Sequence, residues 1–115
     1  MNKFSLTAMS RDQLERARTE ASGRRAATVY GGHDHTLRQT LIALTQGHAL
    51  DDHHTLDDAT LQVLTGRVRL TAGGDEWIGW VGDLLVIPDT VHAVEALEDS
   101  AFLLTVGKKS TVAQK

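Results

Sequence analysis

Apolar residues along this chain fall into short runs separated by glycine and polar turns. The clearest run is Arg67-Val-Arg-Leu-Thr-Ala72, where Val68 and Leu70 alternate with Arg67 and Arg69. Period-two alternation predicts a half-buried strand. Gly73-Gly74-Asp75 supplies a tight turn, and Glu76 to Trp80 returns as the second arm of a hairpin. Further strands are predicted over Ala26 to Tyr30, Leu37 to Leu44, Leu84 to Ile87, Val91 to Ala96 and Ala101 to Val106, with Glu98-Asp99-Ser100 as a turn. The apolar residues of Leu37 to Leu44 do not alternate cleanly, so its face assignment is open.

Ahead of the strands, Ser10-Arg-Asp-Gln13 reads as a capping box with Ser10 as N-cap, predicting a helix over Gln13 to Ala21. Leu14, Ala17 and Ala21 would form its buried stripe. Such a helix covers a barrel edge or a partner subunit more often than it carries chemistry. Many short strands at regular spacing predict an all-β barrel or jelly roll with a short N-terminal helix. The divisions expected are an N-terminal helical segment over 1–25, a barrel over 26–107 and a flexible polar tail over 108–115.

Composition narrows the function classes. A chain of 115 residues is one domain. A formal net charge of -3, with basic residues scattered as Arg24–Arg25, Arg67/Arg69 and Lys108–Lys109, argues against a nucleic-acid surface. No apolar run approaches membrane-spanning length, and no signal-peptide pattern opens the chain, so no membrane partner is expected. The absence of cysteine excludes disulfides, thiolate metal sites and cysteine nucleophiles. A cytoplasmic location is the default expectation.

Two half-motifs carry the remaining information. Gly47 is followed after five residues by His53, and an apolar run then ends at Gly66. Gly82-Asp-Leu-Leu-Val-Ile-Pro88 repeats the device, with His92 four residues after the proline. Each glycine suits a strand end where positive φ or close backbone approach is needed. His92 shares a strand face with Val94 and Ala96, so it looks inward from an apolar stripe. His33 and His35 precede the strands and read as exposed loop residues. Trp77 and Trp80 would face opposite ways unless a bulge forms at Gly79, one packed inside and the other at a surface or subunit contact.

This pair of motifs resembles the two conserved motifs of the cupin superfamily, over roughly Val29 to Gly107. The resemblance implies a double-stranded β-helix, or jelly-roll barrel, in a small single-domain (monocupin) protein. In metal-binding members the first motif continues as His-x-His with a glutamate seven positions before the closing glycine. Carried over, His53 matches the first ligand histidine and His92 the last. Thr55 falls on the second histidine and Ala59 on the glutamate. The metal site is therefore depleted, since a metal needs about three or four donors. Asp58, beside the lost glutamate, is the candidate third ligand if a bulge between His54 and Asp58 turns it inward. Asp57, Asp52, His54 and His48 crowd the same loop.

The function expected is binding of a small polar molecule in the barrel pocket by His53, His92, Gln62, Gln39 and Thr55. Gln39 and Gln62 are pocket groups if inward and plain strand surface if outward. One alternative is a metal-dependent cupin enzyme of dioxygenase or isomerase type, with one divalent ion (Zn, Fe, Mn or Ni) on His53, His92 and Asp58. Another is a structural barrel that dimerises. The partners expected are a small-molecule ligand and a second copy of the chain in a homodimer.

Overall fold

A computed structural model of the chain describes residues 2–53 and 57–109, with 51–53 described by their backbone. The order of elements is α1 (Leu6–Ala17), β1 (Arg24–Tyr30), β2 (Leu37–Leu44), β3 (Ala49–His53), β4 (Asp58–Thr65), β5 (Arg67–Ala72), β6 (Asp75–Trp80), β7 (Leu84–Val86), β8 (His92–Ala96) and β9 (Ser100–Gly107). The strands form two antiparallel sheets, ordered β1-β2-β9-β4-β7 and β3-β8-β5-β6. This is the predicted all-β jelly-roll barrel with its N-terminal helix.

The core lies between the sheets. Ile42, Leu44, Leu61, Val63, Val68, Leu70, Val94, Ala96 and Phe102 form one buried cluster. Alternation produces it: Ala59, Leu61 and Val63 point in from β4, Val68, Leu70 and Ala72 from β5, and His92, Val94 and Ala96 from β8. The intervening arginines of β5 face outward, where Arg69 pairs with Glu95 at 2.8 Å and Glu76 at 3.5 Å.

Strand β2 shows no clean alternation because it is covered on both faces. Ile42 and Leu44 enter the barrel core, while Leu41 and Ala43 pack beneath α1 against Leu14 and Ala17. The helix starts earlier than the capping box at Ser10 predicts. Ser5 is the N-cap, its hydroxyl accepting from the Ala8 N–H at 3.1 Å. Ser10 is buried inside the helix and donates to the Leu6 carbonyl at 2.7 Å. Both serines are competent caps, and docking settles the choice: Ser10, Gln13, Leu14 and Ala17 recur at helical spacing and are buried together. The helix also ends at Ala17 rather than Ala21, after which turns carry the chain to Gly23.

The Gly73-Gly74 hairpin forms as predicted, with Ala72 opposite Asp75 and both glycines at positive φ, 56° and 85°. In β6 the ladder runs without a bulge and Gly79 is buried opposite Val68. Both tryptophans are exposed, which corrects the expectation that one packs inside. Trp77 shares the inward face but lies on an edge strand, and Trp80 faces out with the Arg67 guanidinium 4.8 Å from its ring centre.

Gly66 has a different reason. Its φ is 80°, and a Cβ there would stand 2.3 Å from the Asp99 carbonyl oxygen. The β4–β5 turn therefore packs directly on the turn before β9. The buried Ser100 hydroxyl lies 3.0 Å from both the N–H and the carbonyl of Arg67, joining the two sheets at this end.

Candidate functional site

The end of the barrel opposite Ser100 carries a small cavity. Its polar lining is Arg38, Asp57 and His92; its apolar walls are Ala59, Ile87, Leu104 and Val106. The volume is about 140 Å³. Taking about 30 Å³ for each water molecule, it holds about five water-sized groups.

His92 is at the first position of β8, only 2 % exposed, on the face that Val94 and Ala96 occupy. The sequence places it correctly. Its Nδ1 lies 3.0 Å from the Thr90 carbonyl, which can only accept, so Nδ1 carries a proton and donates it there. In the β3–β8 ladder His53 stands directly across from His92.

Arg38 is the cavity residue that the sequence did not disclose. It pairs with Val106 across the β2–β9 ladder and shares the inward side with Ile42 and Leu44. Because β2 is buried on both faces, periodicity could not assign that side; Ile42 and Leu44 give the signal only once the helix is known to cover Leu41 and Ala43. Asp57 approaches from the start of β4, where its Oδ1 accepts from the Lys109 backbone N–H at 3.0 Å.

Other expected residues lie elsewhere. Gln39 is on the outer face, where its Nε2 donates to Thr105 Oγ1 at 3.2 Å. Gln62 is exposed, on the β4 side opposite to Leu61 and Val63. Neither lines the cavity, because each falls on the wrong parity of its strand. Asp58 is likewise exposed, while Ala59 takes the inward position, so the bulge that would turn Asp58 inward is not realised at β4. Thr55 and His54 lie outside the described residues. His48 is exposed, with Nδ1 2.9 Å from Thr45 Oγ1, at the opposite end of the barrel. His33 and His35 are exposed as expected, and His35 meets Tyr30 edge-on.

The side chain of His53 lies outside the described residues, so the donors that can be placed here are His92, Asp57 and Asp58. No group of three or more His, Cys, Asp and Glu side chains converges among the described residues. The glutamate position presents the methyl of Ala59, which has no lone pair to give.

Two antiparallel sheets closing on an apolar core, with the inward His92 at one end, have the fold of a cupin-type barrel. Comparison with solved structures agrees on the fold. A conserved protein of unknown function from Streptococcus pyogenes superposes with a TM-score of 0.70 at 26% identity, over 80% of each chain. KdgF from Halomonas sp. gives 0.66 at 22% identity, covering 82% of this chain and 86% of its own. A cupin superfamily protein from Desulfitobacterium hafniense gives 0.66 at 14% identity, covering 74% and 79%. No protein-family model matches the sequence, and no curated protein does. Among the described residues no helix is long and apolar enough to cross a membrane.

Proposed function

We propose that this protein is a small-molecule-binding cupin that takes one small polar ligand into the barrel mouth beside His92, without the usual cupin metal centre. The observation that carries this is the cavity itself: a buried imidazole, an arginine and a carboxylate set in apolar walls. Concave sites with a few convergent polar groups on an apolar lining are what small ligands require. Retained barrel geometry with Thr55 and Ala59 at two ligand positions supports binding over metal chemistry.

We further propose that the barrel works as a homodimer. The flank formed by β6 and β7 exposes Trp77, Trp80, Val81, Leu84 and Val86. Contiguous apolar exposure of this kind marks an interaction surface.

The test is ligand-dependent melting of metal-free protein, which rises by RT ln(1 + [L]/Kd) in stability terms. Wild type should gain melting temperature with a ligand of the right class, and His92→Ala should lose that gain. A folded protein that no small molecule stabilises would leave only the structural barrel.

A further inference from the structure

The geometry points to a short monocarboxylate as the ligand of the barrel mouth, its carboxylate on the Arg38 guanidinium and its aliphatic body against Ala59, Leu104 and Val106. This rests on the proposed binding role of the cavity and names the chemistry that the cavity selects. The first reason is the state of Arg38. Arg16, Arg18, Arg25, Arg67 and Arg69 each hold an acidic partner. Arg38, like Arg11 and Arg24, forms no ion pair or side-chain hydrogen bond with another described residue, and of these three it is the one that lines the mouth. A planar guanidinium beside an apolar recess matches a carboxylate in a bidentate fork.

Size and the second charge set the rest. A volume of about 140 Å³ limits the aliphatic body to about five carbons once the carboxylate sits at the rim, by the water-volume measure above. Asp57 lines the same cavity and is fixed to the Lys109 backbone. A second carboxylate on the ligand would meet it as a like charge, so dicarboxylates are disfavoured.

The experiment is titration of metal-free protein, followed by melting temperature and by His92 ring resonances, at fixed ionic strength and pH. The probes are butyrate, succinate, butanol, butylamine and 2-aminobutyrate. Butyrate is expected to bind at least about tenfold tighter than succinate, butanol or butylamine. Arg38→Gln should weaken butyrate at least about tenfold, a loss of about 1.4 kcal/mol or more, and Arg38→Lys should restore part of it. Arg38 is exposed, so the variants are expected to melt within a few degrees of wild type, and far-UV circular dichroism checks their fold.

Equal binding of butanol or butylamine, or an unchanged butyrate affinity in Arg38→Gln, overturns the carboxylate assignment while leaving the pocket in place. Tighter binding of 2-aminobutyrate than butyrate overturns it in favour of a zwitterion spanning Arg38 and Asp57. If no probe binds folded protein, the pocket itself is not a binding site and the proposed function falls with it.

Discussion

His53 stands across from His92 because β3 carries one extra residue between its paired positions. Leu50 pairs with Val94, and the next pair is His53 with His92. Three steps along β3 therefore match two along β8, which is a β-bulge at Asp51–Asp52. A regular ladder would set Asp52 against His92. The five-residue spacing from Gly47 to His53 is thus the spacing that a bulged strand needs. A metal placed at these two histidine positions would lack the glutamate donor, because Ala59 stands in its place. Protein purified without chelator is expected to carry well below one divalent ion per chain by elemental assay, with melting unchanged by EDTA. Stoichiometric metal that disappears in His53→Ala or His92→Ala is the result that restores the metal-enzyme alternative.

The joint between the sheets gives a stability prediction. Ser100→Ala leaves the Arg67 N–H without its hydroxyl acceptor at 3.0 Å, in a place where Ser100 itself is fully buried. The expected loss is about 1–3 kcal/mol, the cost of a buried unsatisfied donor. Gly66→Ala forces a Cβ against the Asp99 carbonyl oxygen and a residue at φ 80°, and should cost at least about 2–3 kcal/mol. Gly82→Ala, with φ 93° and open space around it, should cost less than Gly66→Ala. Urea midpoints at unchanged m-values rank the three.

Asp99 gives the acid dependence. The Gln46 backbone N–H donates to one carboxylate oxygen at 2.9 Å and the Arg18 guanidinium to the other at 3.0 Å, holding the carboxyl below its usual range against a smaller opposing effect of burial. A carboxylate with a depressed folded-state pKa stabilises fully above the unfolded value of about 3.9, and that stability is lost as pH falls through the folded value. Asp99→Asn should therefore melt lower than wild type at pH 7 and show a shallower decline below about pH 5. With the side chain 37% exposed, the difference at pH 7 should not exceed about 1 kcal/mol. Parallel melting curves for the two proteins from pH 7 to pH 2 would contradict this.

Light scattering should return twice the 12.5 kDa chain mass. The double substitution Trp77→Lys, Trp80→Glu should shift the protein to monomer with its far-UV spectrum intact, since both rings are exposed at 44% and 55%. Wild-type protein that elutes as a monomer at micromolar concentration removes the dimer.

Much of the fold was legible in the sequence because strands with one wet face announce themselves. Val68 and Leu70 between Arg67 and Arg69, and His92 in step with Val94 and Ala96, have the parity that the structure shows. Legibility failed where a strand has two dry faces. In β2 neither Arg38 nor Gln39 could be placed, and the one that enters the cavity is the one not nominated. The helix start failed for a related reason: Ser5 and Ser10 are chemically equivalent caps, and contact with Leu41 and Ala43 decides between them. Asp57 and Asp58 differ by one strand position, and that position sends Asp58 outward while Asp57 reaches the mouth.

The polar ties described at the Ser100 end have a consequence for how this barrel can change. Ser100 with Arg67, Asp99 with Gln46 and Arg18, and Gly47 N–H with the Ala96 carbonyl all lace the floor. Arg38, Asp57 and His92 lie at the other end of the same strands. On the proposed binding role of the mouth, folding strength and ligand choice are housed at opposite poles of one small body. Substitutions at Arg38, Ala59, Leu104 or Val106 can re-tune what the mouth accepts while the floor keeps the sheets together. A chain of this size becomes a convenient scaffold for altered specificity, its tolerance concentrated where recognition happens.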